Sequence, residues 1–174
     1  MKEVATLVQK KDTSGLAQYV KNDDIVVAKR AVAALGSLGN TDALHETLSD
    51  DRPQVRAEAI SQLGDRADVS QLPVLSQYLQ DPAPEVRIAA MRGVASIRDF
   101  SIFDYLVPML ADPNVNVRRG AIAAIEERIG LSFSEFDPND VGSSQRAIAR
   151  IRATLPNFKK RFENVNEIEA NKKK

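Results

Sequence analysis

The chain has 174 residues, 43% hydrophobic and 28% charged, with 24 basic and 24 acidic side chains that cancel to a formal net charge of zero. It has no cysteine, which excludes disulfides and thiolate metal sites, and no run of about 18 apolar residues, so no membrane-spanning helix is expected. The charge is unevenly spread: residues 1–144 hold 15 Lys/Arg against 21 Asp/Glu, and residues 145–174 hold 9 against 3. Such asymmetry marks either an interaction tail or a basic end docked on an acidic body, and docking is the reading favoured here. The opening Met-Lys-Glu-Val lacks the apolar segment of a signal peptide. The cytoplasm is therefore expected, although a trimmed signal would leave no trace and keeps the envelope open.

Val4, Leu7 and Val8 stand at helical spacing, and Asp12-Thr13-Ser14 supplies capping oxygens for a second short helix carrying Leu16, Ala17 and Val20. Val27, Ala31, Val32, Leu35 and Gly36 then form an apolar stripe, and Gly36, Gly39 and Asn40 punctuate its end. A short helix is expected over 41–48. Pro53 opens the next, which Gly64-Asp65 closes. Leu72, Leu75 and Leu79 mark a further helix, Pro84 starts another that runs to about Ile97, and 103–110 follows with Pro108 expected to kink it. Residues 115–129 form a last clear helix ended by Gly130. Beyond it, 131–140 reads as a loop, Ser143-Ser144 as the cap of a helix over 145–155, and Pro156 as its stop. Residues 157–174 read as a basic polar tail, anchored by Phe158 and Phe162 and disordered at its end. No sustained period-two alternation signals a strand.

The same pattern recurs every thirty-one residues. Leu48, Asp50, Val55-Arg56, Ala59 and Ile60 return as Leu79, Asp81, Val86-Arg87, Ala90 and Met91, and again as Leu110, Asp112, Val117-Arg118, Ala121 and Ile122. A self-similar period of about 20–50 residues is the signature of a helical solenoid, in which no unit buries its apolar stripe alone. An earlier, degenerate copy matches at an offset of 28, with Ala28 where Arg56 would be. The expected class is an all-α, α-α superhelix of about four hairpin repeats, at about 13–40, 41–68, 69–99 and 100–130. A cap over 1–12 precedes them, and a loop plus capping helix over 131–156 follows.

In each strong repeat an Asp and an Arg stand six apart: Asp50/Arg56, Asp81/Arg87 and Asp112/Arg118. The Asp can accept from free amides of the turn, and the Arg can reach an adjoining unit's Asp, which would make a partly buried structural ladder.

With Leu-x-Asp, Val-Arg, the spaced Ala and the closing aliphatic in place, the chain resembles the HEAT-repeat (armadillo-like) solenoids, especially the bacterial type labelled phycobilisome-lyase-like, over about residues 13–130. Residues 131–155, with Phe133, Phe136, Asp137-Pro138 and Arg146, resemble the closing segment of some bacterial HEAT arrays. The resemblance implies a curved stack whose second helices line a concave face, and a binding or scaffolding role without catalysis. Taking the core stripe away from those helices leaves Arg30, Glu58, Gln62, Ile88, Arg92 and Arg119 as candidate partner-binding residues. Between them lie small residues at 33, 57, 61, 89, 120 and 123 that would shape a shallow trough. A partner helix or extended acidic peptide suits arginine rungs, since arginine pairs bidentately with carboxylates.

The chemistry-bearing patterns are weak. His45-Glu46 is a single pair, whereas the iron-dependent HEAT-repeat hydroxylases use several; it reads as a surface helix. Asp112, Asn114 and Asn116 mimic half a calcium loop, but Val117 stands in place of the required Gly and Ala123 in place of the Glu; Asp137 to Gly142 fails likewise at Val141. No phosphate loop, nucleophile elbow or cysteine nucleophile exists. The reading is a monomeric, non-enzymatic adaptor with a protein partner and no cofactor. Nucleic acid or another polyanion, held through Arg146, Arg150, Arg152, Lys159, Lys160 and Arg161, is the disfavoured alternative. An accessory lyase or chaperone role is the other, resting on the family resemblance.

Overall fold

The computed structural model describes residues 2–65 and 68–172, with side chains described as far as Asn164. Among the described residues there is helix and connection and no strand, the α-α solenoid class that the repeat implies. The chain divides into two compact units, Met1–Ile97 and Arg98–Lys174.

The first unit holds α1 (Lys2–Lys10), α2 (Thr13–Val20), α3 (Ile25–Ser37), α4 (Thr41–Thr47), α5 (Pro53–Gly64), α6 (Leu72–Gln77) and α7 (Pro84–Ser96). Local chemistry sets most of the boundaries. The Asp12, Asp24 and Asn40 side chains accept from the free amides of Gly15, Val26 and Ala43, while Pro53 and Pro84 occupy first helical positions where no N–H is needed. Helix α2 pairs with α3, α4 with α5 and α6 with α7, and the three longer helices α3, α5 and α7 pack side by side. The stripes Val55, Ala59, Ile60, Leu63 and Val86, Ala90, Met91, Val94 are buried between them. In α3 the expected Ala31, Val32, Leu35 and Gly36 are buried, but the stripe begins at Ala28, fully buried, while Val27 is only half-buried.

The close approach of α5 and α7 rests on two glycines. A methyl group built on Gly64 would lie 2.7 Å from the Gly93 Cα, so the backbones touch there. The Ser96 hydroxyl lies 3.0 Å from the Gly64 carbonyl and 2.8 Å from that of Gly93, fixing the crossing.

The second unit holds α8 (Ile102–Leu106), α9 (Val115–Ile129) and α10 (Val141–Lys172). Pro108 ends α8 instead of kinking it, and a separate 3₁₀ turn follows over Pro108–Ala111. Gly130, at φ 73°, closes α9 in the left-handed conformation that glycine adopts without strain. Val117, Ala121, Ile122 and Ile125 are buried, as are Ala147 and Ile151 of α10, which packs on the Pro108–Ala111 turn.

Helix α10 corrects the sequence reading at both ends. It starts at Val141, with the Asp140 carboxylate accepting from Gly142 and Ser143, so Asp140 is the cap and the buried Ser143 lies inside the first turn. It then runs through Pro156 instead of stopping. Proline removes one helical hydrogen bond, at a cost of roughly 3 kcal/mol, but the helix is docked on both sides of it. Ile151 is buried before the proline; after it Phe158 lies 6.2 Å from Phe100 and, edge-on, 5.6 Å from Phe103. Residues 157–172, expected as a polar tail, are helical. The disorder expected of the last residues falls on Lys173-Lys174, outside the described residues.

Candidate partner-binding face

Each strong repeat builds its inter-helix turn the same way. An Asp side chain accepts from the amide two residues on: Asp50 from Arg52, Asp81 from Ala83, Asp112 from Asn114, at 2.8–2.9 Å. The arginine six residues after that Asp donates back to two turn carbonyls. Arg56 binds Asp50 and Asp51 O, Arg87 binds Asp81 and Pro82 O, and Arg118 binds Asp112 and Pro113 O. The guanidinium thus satisfies carbonyls that a tight turn leaves without backbone donors. Arg87 is 8% exposed.

Within the first unit Arg56 also grips Asp81 bidentately, Nε to Oδ2 at 3.0 Å and Nη2 to Oδ1 at 2.9 Å. In the second unit Arg118 spends its Nε on the Pro138 carbonyl, 2.6 Å away, tying α9 to the loop before α10.

The degenerate repeat solves the same problem with a residue that sequence reasoning passed over. Arg52 binds both oxygens of Asp50 and reaches the Asn22 and Val20 carbonyls, each at 2.6 Å. Asn22 lies six residues before Ala28, where an arginine in register would have reached. Arg52 therefore delivers a guanidinium to that turn from the following one. Its donors hold the Asp50 carboxyl below the usual carboxylate value.

With the turns fixed, α3, α5 and α7 present one face, and it carries a trough of about 300 Å³. Ala57, Ser61 and Ala89 form its floor because side chains this small leave the helix surfaces low. Glu58, Ile88 and Arg92, three of the expected residues, line it. Lys29, Gln54 and Glu85 line it too, and these the sequence reading did not select as site residues.

Other candidates lie elsewhere. Gln62 turns toward Gly36, in a smaller recess with Gly39 and Leu63, and donates to Glu58 at 3.0 Å. Arg30 is exposed but does not line the trough. Arg119 belongs to the second unit, exposed on α9, 3.5 Å from the Asn116 side chain.

The charges of the trough are not equivalent. Lys29 and Glu58 pair at 3.5 Å, with side chains 43% and 21% exposed. Glu85 and Arg92 make no ion pair among the described residues.

The remaining sequence motifs have structural uses. Asn114 and Asn116 donate their amides to Asp112 and Asn114 oxygens, and Asn139 and Gly142 donate theirs to Asp137 and Asp140, so these oxygens hold turns. His45 is exposed on α4. No cluster of three or more metal-ligating side chains occurs among the described residues, and no described helix is long and apolar enough to cross a membrane. Half of the basic run is engaged inside the second unit. Arg146 pairs with Asp140 at 3.2 Å, Arg150 pairs with Glu135 and lies over the Phe133 ring, and Lys159 lies over the Phe100 ring, 5.6 Å from its centre. Arg152, Lys160 and Arg161 stay exposed.

Compared with known proteins, the chain matches the family model described as HEAT repeats over residues 13–83 and again over 72–138. No curated protein matches. Among solved structures it is similar to an engineered protein and to a designed armadillo repeat protein, each at 18% identity and a TM-score of 0.49, covering 86% of this chain and 83% and 86% of theirs.

Proposed function

We propose, from the premise that the chain belongs to the HEAT-repeat family, that it is a non-catalytic interaction module which seats a segment of a protein partner in the trough on α3, α5 and α7. HEAT repeats generally serve as protein-interaction scaffolds. The observation that carries the reading is the trough itself: a floor of Ala57, Ser61 and Ala89 on adjoining helices, with half-buried Ile88 beside it and Glu85 and Arg92, which make no ion pair among the described residues. Small side chains let another backbone come close, Ile88 offers apolar area to bury, and fixed charges at the edge set register.

The test is a quantitative pull-down from the native host with wild type, Ser61→Trp and Gln77→Trp. Ser61 lies on the trough floor and Gln77 is exposed on α6, outside it. The reading expects a partner retained by wild type and Gln77→Trp and reduced roughly tenfold by Ser61→Trp, since filling a buried contact costs on the order of 1–3 kcal/mol. Equal retention by all three overturns it.

A further inference from the structure

The trough has a chemical polarity that narrows its occupant. Lys29 and Glu58 satisfy one another across α3 and α5. Glu85 and Arg92 both stand on α7 and have no such partner among the described residues. They are seven residues apart, two helical turns, so they lie on one side of the helix about 10 Å apart along its axis. Ile88 and Ala89, three and four residues on from Glu85, sit between them on the same side. The stripe reads acid, aliphatic with small, base, over a floor of Ala57 and Ser61.

Resting on the interaction reading above, we infer that the trough's occupant is a peptide segment of mixed charge: a basic residue placed against Glu85, an apolar residue against Ile88, and an acidic residue against Arg92. Covering the trough takes both charges partly out of water, and each must then be met by an opposite one or its desolvation is uncompensated. A uniformly acidic segment would satisfy Arg92 and be repelled by Glu85, and a uniformly basic one would do the reverse. Specificity arises from that repulsion as much as from attraction. The spacing sets the segment's register. A helical occupant carries its two charges about seven residues apart, and an extended one about three apart. This replaces the acidic peptide that arginine rungs alone suggest.

The experiment uses the full chain and a displayed random library of peptides about 12 residues long, long enough for three helical turns. Wild type should enrich peptides with a base and an acid flanking an apolar residue. The most enriched peptide is then resynthesised as the probe. Ser61→Trp should abolish its binding, and Glu85→Lys and Arg92→Glu should each weaken it roughly tenfold. The double reversal Glu85→Lys/Arg92→Glu should bind the same peptide with its two charges exchanged, a recovery that a merely structural role of either residue cannot produce.

Enrichment of single-sign peptides through the trough, or no recovery with the exchanged peptide, overturns this inference and leaves the trough as a site. Peptides indifferent to Ser61→Trp overturn the trough itself.

Discussion

Arg52 and Asp50 show how one side chain can complete a repeat that the sequence leaves incomplete. Removing the Arg52 guanidinium strands the Val20 and Asn22 carbonyls and one partner of a part-buried ion pair. Arg52→Ala should therefore cost roughly 1–3 kcal/mol, while Arg92→Ala, which breaks no ion pair among the described residues, should stay within about 0.5 kcal/mol. Thermal melts that move equally for the two would contradict the assignment. The effect is also pH-dependent. Hydrogen bonds from Arg52 lower the Asp50 carboxyl from its ordinary 3.8. A folded value below the unfolded one gives stability that is fully present above the unfolded value and is lost as pH falls through the folded one. The difference between wild type and Arg52→Ala should hold steady between about pH 5 and 7 and shrink below about pH 4, leaving the share due to the carbonyls. A gap unchanged down to about pH 2 would remove Asp50 from the account. The Asp-Arg pairs were legible in the sequence because the repeat displays them in register. Arg52 was not, because it works from the next turn through a long side chain, and no fixed spacing marks it.

At the scale of the element, boundaries set by local chemistry were readable and boundaries set by packing were not. Asp12, Pro53, Pro84 and Gly130 end or start helices by their own covalent nature. Pro156 should have stopped α10 by the same logic, yet tertiary docking of Ile151, Phe158 and Phe162 outweighs it. Phe158 lies 6.3 Å from Phe162 as well as against Phe100 and Phe103. Phe158→Ala should destabilise by about 2–4 kcal/mol, at or just below the range for a buried ring because Phe158 is only half-buried. A change under about 0.5 kcal/mol in chemical denaturation would show that something else holds α10 past the proline. The contact of Gly64 with Gly93 was equally hidden, since Gly64 reads simply as a helix end. Gly64→Ala should cost about 1–3 kcal/mol because its methyl group meets backbone, which has nowhere to go. An unchanged melting temperature would contradict so close a crossing.

For the whole molecule, the class of fold was legible because the 31-residue repeat states it three times. The candidate site was legible only in part. Helical periodicity separates core from surface, which put Glu58, Ile88 and Arg92 on the face that carries the trough, but it cannot say how neighbouring helices rotate against each other. That rotation brings Lys29 into the trough in place of Arg30 and turns Gln62 away. The basic C-terminal segment forms the helix that buries Ala147 and Ile151, with Arg150 and Lys159 over aromatic rings. A fragment of residues 1–144 should accordingly aggregate or melt well below the full chain. A soluble fragment with the same midpoint would show that α10 is dispensable to the fold.

Whether a partner occupies the trough on α3, α5 and α7 is read by site-specific photocrosslinking in the native host. A photoreactive residue at position 61 or 88 should give a crosslinked partner band, and one at position 77 should not. The band should weaken roughly tenfold when Arg92→Glu is added to the position 61 probe. Bands of equal strength from 77, or no band from 61 and 88, would contradict a partner seated in the trough, and a band from 61 that keeps its full strength with Arg92→Glu would overturn only the charge register.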